Sequence, residues 1–514
     1  MSSDDVCTLP VGWRQLTVEQ LVADGVIQKP LDGNHGGIHP KSADYVENGV
    51  PFIMASDLDG GRVDLAGCKF ISKEQTSGLR KGFAKAGDVL LSHKATIGRT
   101  AIVQDSEHPF IVLTPQVTYY RISDVSQLNA IYLKAYFDST LFQTILGQWA
   151  GAGSTRAYLG ITGQLKLPII VPPIDFQNFV AEQSVSLNDK IQLNQKINQT
   201  LEQMAQAIFK SWFVDFDPVK VKIAARERWH ALQSGNESAS PAYYAGELTG
   251  RSVNFDLDTY MNYAAMQAIS GKDAEQLARM QAQQPEEYAE LYATAELFPS
   301  AMQDSELGEI PEGWEAFPLY NTAEYVNGAA FKAKDFTDND SGLPIIKIAE
   351  LKQGITGTTK FTNRNITEKY RINTGDVLYS WSGSPETSLE VFKWFGGEGW
   401  LNQHIFKLNF NSSQNIHFTY FLLKQIKPLL VSTAKQKQTT GLGHITVADM
   451  KRIKIPYPKK ELMIAFSKLV LPFYDRASEA CKESHYLSSL RDTLLPKLLS
   501  GELSVADIES EVEA

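Results

Sequence analysis

The sequence predicts an α+β protein with a pseudo-two-fold internal repeat: two similar domains of short strands and long loops, with a pair of long helices between them. Three observations predict it. Landmarks recur in one order, Gly12-Trp13 as Gly313-Trp314, Gly87-Asp88-Val89-Leu90 as Gly375-Asp376-Val377-Leu378, Ile161-Thr162 as Ile445-Thr446, and Val171-Pro172 as Ile455-Pro456. Their offsets are 301, 288, 284 and 284, so the halves differ by insertions and deletions between shared anchors. Within each half, short apolar runs such as Val89-Leu90-Leu91 and Val117-Thr118-Tyr119-Tyr120 are broken by Gly, Asn, Asp and Ser clusters, the pattern of strands and loops. Each half then closes in a helical pattern with the same 3, 4, 4 steps, Leu201, Met204, Ile208, Trp212 and Leu487, Leu490, Leu494, Leu498.

In chain order, residues 12–173 form the first strand-and-loop domain and 174–213 the first long helix. No proline interrupts the run from Phe179 to Phe213, and thirty-odd residues at 1.5 Å each make a helix of about 50 Å. Its apolar stripe is too narrow to hold such a helix alone, so pairing with the second long helix is expected. The expected pairing positions are Leu187, Ile191, Leu201, Met204 and Ile208 on one helix and Leu487, Leu490, Leu494 and Leu498 on the other. Asn194 falls near this seam, where a buried amide could set the register or the side chain could face water. Residues 214–305 have no counterpart after the second half and read as an acidic, mainly helical insertion or linker. Its stretch from Met261 to Ala295 reads as one or two peripheral helices. Residues 306–458 form the second domain and 459–505 the second long helix.

Composition bounds the function. With 514 residues, 43% apolar and 21% charged, the chain is expected to be globular and soluble. Met1-Ser2-Ser3-Asp4-Asp5 leads into no apolar run, so neither a signal peptide nor a membrane span is expected, and the location is expected to be cytoplasmic. Cys7, Cys68 and Cys481 are widely spaced, which argues against a zinc site. The net charge of -10 conceals an uneven distribution. Residues 214–305 carry seven Lys/Arg against fourteen Asp/Glu, and the last fourteen residues carry five acids and no base, which leaves the two repeated halves slightly positive. Between Glu398 and Asp449 there are five lysines (Lys407, Lys424, Lys427, Lys435, Lys437) and no acid, so a local basic face is expected there.

Signs of catalysis are weak. Gly271-Lys272 is followed by Asp273 and lacks the upstream glycine of a phosphate-binding loop, while Gly151-Ala152-Gly153 and Gly396-Gly397-Glu398-Gly399 read as turns rather than a dinucleotide fingerprint. His35 and His39 sit in a Gly-rich loop with no third ligand nearby and read as turn residues, so no metal site is expected. What remains is a set of polar, aromatic and basic loops at matching places. Ser92-His93-Lys94-Ala95-Thr96-Ile97-Gly98-Arg99 corresponds to Ser380-Trp381-Ser382-Gly383-Ser384-Pro385, and Gly153-Ser154-Thr155-Arg156-Ala157-Tyr158 to Lys435-Gln436-Lys437-Gln438-Thr439-Thr440. Such residues can neutralise phosphates and read base edges.

With the duplicated Gly-Asp-Val-Leu strand, the Ile-Thr…Pro segment and the closing Leu-x2-Leu-x3-Leu helix, the chain resembles a specificity subunit of a Type I restriction-modification enzyme over nearly its whole length. Phe209-Lys210-Ser211-Trp212-Phe213-Val214-Asp215-Phe216-Asp217-Pro218 and Gly308-Glu309-Ile310-Pro311-Glu312-Gly313-Trp314 are similar to that family's mid-chain junction and domain opening. The resemblance implies two target-recognition domains that each read half of an asymmetric, bipartite double-stranded DNA sequence, held apart by an antiparallel pair of helices acting as a ruler. It also implies a non-catalytic chain that binds no cofactor, with S-adenosylmethionine, ATP and Mg on partners: two modification subunits that methylate adenine, and separate restriction and translocase subunits. On this reading Lys94, Arg99, Arg156, Lys435 and Lys437 contact phosphates or bases. Ser92, Thr96, Gln116 and Tyr158 in the first domain, and Trp381, Ser382, Gln403, His404 and Gln438 in the second, read or stack, while Tyr119, Tyr120, Phe406 and Phe421 are core. The competing reading is a protein-assembly scaffold that binds no DNA, which salt-dependent DNA retardation would separate from the first.

Overall fold

The computed structural model describes residues 9–151, 157–234, 256–337, 341–356, 358–437 and 443–500. Two compact units divide the chain, one ending at Lys196 and resuming at Glu483, the other running from Ile197 to Lys482. The long helices are Ile174–Phe213 and Lys460–Ser500, so each unit contains one strand-rich domain and a segment of both helices.

In the first unit, Arg14–Thr17 pairs antiparallel with Pro168–Val171, which returns the last strand beside the first and leads directly into the long helix. The main sheet has the order Leu31–Asp32, Val117–Tyr120, Val89–Lys94, Thr96–Ile102, Arg62–Val63, Leu58–Asp59. A second sheet orders Tyr45–Val46, Lys69–Ile71, Val50–Ile53, Ile111–Leu113, Phe83–Ala84. The unbroken apolar run Val89-Leu90-Leu91 reflects burial on both faces. Successive strand residues point to opposite sides, and Val89 and Leu91 join a core with Tyr120, Tyr132 and Phe137 while Leu90 joins Ile53, Leu113 and Val117.

The second unit repeats this plan. Glu315–Pro318 pairs with Lys454–Tyr457 ahead of its long helix. Its main sheet orders Glu324–Asn327, Ile405–Asn409, Val377–Ser380, Glu390–Lys393, and its second sheet Phe361–Thr362, Leu343–Ile346, Gly399–Leu401, Arg371–Ile372. Here too Val377 and Tyr379 enter one core and Leu378 the other.

Within the first unit the helix segments run antiparallel. Arg491 donates to Asn188 at 3.1 Å, Lys190 pairs with Glu483 at 3.4 Å, and Asn194 Nδ2 donates to Glu483 Oε2 at 2.8 Å. Asn194 is 1% exposed, so of the two readings the amide is the buried one. In the second unit Asn198 Nδ2 donates to Cys481 Sγ at 3.0 Å. One expected pairing position, Met204, falls outside the seam. Met204 is 46% exposed, while Ala205 and Phe209 are buried. A one-residue step turns a helix by about 100°, so an inward-facing Ala205 forces Met204 off the seam. Leu187, Ile191, Leu201, Ile208, Leu487, Leu490 and Leu494 are half-buried, and Leu498 is buried in the core of the first domain.

The insertion also departs from expectation. Three helices occupy the stretch read as one or two: Leu257–Ser270, Ala274–Gln283 and Pro285–Glu296, preceded by Asp217–Gln233. The breaks have local causes, a left-handed Gly271 (φ +67°) followed by the Asp273 capping box, and Pro285 at the start of the last helix. Outside that stretch, at the two ends of the insertion, Val219 and Phe298 enter the second domain's core. Buried Lys222, its pKa pushed down to about 8 chiefly by desolvation, donates to the Phe298 carbonyl at 2.7 Å. Met302–Ser305 at its C-terminal end is a strand paired with Gly308–Pro311. Among the described residues no helix is long and apolar enough to cross a membrane.

Candidate nucleic-acid interface

Both main sheets bring residues that differ between the two halves to one end. In the first domain Leu31–Asp32 and Val89–Lys94 flank Val117–Tyr120 and run antiparallel to it. The loops after Asp32 and Lys94 and the approach to Val117 therefore share one sheet end. In the second, Glu324–Asn327 and Val377–Ser380 flank Ile405–Asn409 in the same sense.

The two ends share one hydrogen-bonded frame. The His93 N–H donates to the Gln116 carbonyl at 2.9 Å, and the Trp381 N–H to the His404 carbonyl at 3.3 Å. The Leu159 N–H donates to the His93 carbonyl at 3.0 Å, and the Ile445 N–H to the Trp381 carbonyl at 2.9 Å. Lys94 bridges to Tyr158 as Ser382 pairs with His444. The chain turns at matching positions with positive φ, Ala95 (64°) and Gly383 (123°). Gln116 and His404 thus occupy equivalent places, as do His93 and Trp381. Leu159 rather than Ile161 stands where Ile445 does, and Tyr158 corresponds to His444 rather than to Thr440. The frame is common and the side chains are unlike.

Lys94, Thr96, Arg99 and Tyr158 are exposed in the first domain, and Gln116 is half-buried. Lys94 Nζ lies 5.9 Å from the Tyr158 ring centre, and Tyr158 is 50% exposed, a cation beside a ring face open to solvent. Arg99 donates to the Ala55 and Ser56 carbonyls at 3.3 Å, which aims its guanidinium without neutralising it. Ser92 is displaced from its expected role. It is 0% exposed and accepts the Arg99 N–H at 2.9 Å, because the residue sits inside the strand and faces the core. His93, which the sequence reading left without a role, is buried against Tyr158, with ring centres 5.7 Å apart. Its Nδ1 donates to the Leu159 carbonyl at 3.0 Å, so the neutral ring leaves Nε2 as a buried acceptor without a partner. Burial holds its pKa below the ordinary histidine value.

In the second domain Trp381 Nε1 donates to Asn327 Oδ1 at 3.0 Å, and its ring lies 5.8 Å from His404 and 5.7 Å from Phe406. Gln403 Nε2 and His404 Nε2 are 3.1 Å apart, and Ser382 is half-buried. The lysine-rich stretch is not the free basic face expected. Each of its five lysines has an acid: Asp376 for Lys407, Glu202 for Lys424, Glu390 for Lys427, Glu386 for Lys435 and Asp449 for Lys437. Counting charge along a segment misses acids that folding brings from elsewhere. Asp449 is the firmest of these, its side chain 3% exposed and bonded to Lys437 at 2.5 and 2.6 Å and to Thr446 at 2.6 Å. Although burial pushes the other way, these bonds bring its pKa down to about 2. Arg156 and Gln438 lie outside the described residues.

Residues 311–462 match the family model described as Type I restriction modification DNA specificity domain. The chain is 27% identical over 467 residues to the Type I restriction enzyme HindI specificity subunit of Haemophilus influenzae, covering 88% of this chain and 94% of that one. With the MjaIX specificity subunit of Methanocaldococcus jannaschii it is 21% identical, covering 92% and 91%. Over nearly its whole length the chain is similar to the specificity subunits of Type I restriction-modification enzymes. Among solved structures, the S subunit of a Type I system from M. genitalium aligns over 97% of this chain and 98% of that one, with TM-score 0.37 and 13% identity. The HsdS subunit from Thermoanaerobacter tengcongensis aligns over 98% and 100%, with TM-score 0.31 and 12% identity.

Proposed function

We propose that this specificity subunit reads an asymmetric, bipartite sequence in double-stranded DNA, one half with each strand-rich domain, and positions the enzyme's other subunits there. The carrying observation is the frame at the sheet ends, repeated with unlike side chains, His93, Gln116 and Tyr158 against Trp381, His404 and His444. One frame can thereby present two different surfaces to two different half-sites. As a specificity subunit the chain is the non-catalytic recognition component. We assign adenine methylation to two docked modification subunits and cleavage with translocation to restriction subunits, and with them S-adenosylmethionine, ATP and Mg. The location we assign is the cytoplasm, where the DNA is. The long helices have 40 and 41 residues, and 40 residues at 1.5 Å per residue make ~60 Å.

The test is to map methylated adenines in a genome carrying the system and then to titrate the purified enzyme with DNA of that sequence. Two unlike half-sites at a constant separation, with steeply salt-dependent binding, are expected. A single symmetric site, or DNA retention that ignores both sequence and salt, would overturn the reading.

A further inference from the structure

In both domains the first strand of the main sheet ends in a polar residue followed by a glycine, Asp32-Gly33 and Asn327-Gly328. Neither glycine can be replaced without displacing backbone. A Cβ on Gly33 would overlap the Leu113 carbonyl oxygen, and one on Gly328 the Asn402 carbonyl oxygen. The two loops also close in the same turn, the Lys41 N–H donating to Asp44 at 2.6 Å and the Lys332 N–H to Asp335 at 2.8 Å. Between these matching ends the first loop has seven residues, Asn34 to Pro40, and the second three, Ala329 to Phe331.

The base of the first loop is fastened. Asp32 binds Lys81 and His35, and Asn34 donates to the Lys81 carbonyl at 2.7 Å and accepts the Arg80 N–H at 2.9 Å. Beyond it His35, Gly36, Gly37 and Ile38 are exposed. Gly37 has no positive φ and nothing within 4 Å of a Cβ built on it, so the fold does not call for glycine there. Close approach of another molecule's backbone would. His39 Nδ1 is buried and without a partner. In the turn that closes the second loop, Lys332 and Lys334 are exposed and have no acid partner among the described residues, since Asp335 is taken by Arg364 at 3.3 Å. Lys435 and Lys437, by contrast, are already paired.

Resting on the DNA-recognition reading, we propose that these loops are the variable specificity element. His35 and His39 within the first loop, and Lys332 and Lys334 in the turn that closes the second, contact the half-sites, so the segments from Gly33 to Asp44 and from Gly328 to Asp335 select the bases.

The experiment uses the full chain purified with its modification subunits and DNA carrying its mapped target. Changing Lys332→Ala with Lys334→Ala lowers the slope of log affinity against log salt by about 2, whereas Lys435→Ala with Lys437→Ala leaves it unchanged. Gly37→Leu, placed in open space, leaves the unfolding midpoint where it was and weakens binding about tenfold, with base preference relaxed in one half-site only. A wild-type complex without sequence-specific binding overturns the DNA reading itself. Normal wild-type binding, with the Lys332/Lys334 and Gly37 variants indistinguishable from it, overturns this inference alone.

Discussion

Lys94 and Lys437 look alike as candidate phosphate contacts, yet the structure gives them opposite expected phenotypes. Lys94 is exposed, beside a ring, and faces no acid among the described residues. If it neutralises one phosphate, Lys94→Ala lowers the salt slope by about 0.9 and leaves folding stability unchanged within ~0.5 kcal/mol. Lys437 instead donates to Asp449, which also holds Thr446 at the start of the helix Val447–Arg452. A hydrogen bond to a charged group contributes about 1.5–3 kcal/mol. Lys437 is partly open to solvent, and Arg452 at 3.2 Å remains as a partner, so Lys437→Ala should cost nearer ~1 kcal/mol. Its salt slope should not change. The assay is a double-logarithmic salt titration of DNA binding by the assembled enzyme, alongside denaturant unfolding of each variant chain. A slope lowered by Lys437→Ala at unchanged stability, with Lys94→Ala inert, would refute the reasoning.

Three further outcomes are expected. Gly33→Ala should destabilise the first domain by about 3 kcal/mol, the upper end of overpacking costs, because the new methyl meets a carbonyl oxygen; an unfolding midpoint equal to wild type would contradict the fit. Asn194→Ala should lose ~1–2 kcal/mol, and a double-mutant cycle with Glu483→Gln should return a coupling of about 1 kcal/mol, whereas strict additivity would mean that the seam hydrogen bond contributes nothing. His417, its ring 4.9 Å from Tyr474, has its pKa lowered from 6.5 to about 4, first by burial and then by the Lys393 charge. The folded value lies below the unfolded one, so the stability it contributes is complete above about pH 6.5 and is lost as pH falls toward 4, on the order of 3 kcal/mol. His417→Gln should flatten that part of the pH–stability curve, and an unaltered curve would show that the group does not titrate as described.

Much of the fold is legible in the order of residues. The repeat at Gly87-Asp88-Val89-Leu90 and Gly375-Asp376-Val377-Leu378 reports strands whose alternate residues must fill two cores, and a helix that lacks a broad apolar face reports a partner helix. Part of the site stood in the sequence unread. Asp32-Gly33 and Asn327-Gly328, followed by Lys41-x-x-Asp44 and Lys332-x-x-Asp335, stand in the sequence as a doubled motif, although the histidines between them read only as turn residues.

The sequence alone determined the repeat, the two-domain plan and the helical pairing, because periodicity and order survive in one dimension. Tertiary structure alone decided that Ala205 and not Met204 faces inward, that Ser92 is core, and that the five lysines from Lys407 to Lys437 are neutralised. Burial and charge pairing depend on which distant residues meet. Glu202, Asp376, Glu386 and Glu390 come from outside that stretch, and Asp449 stands at its edge.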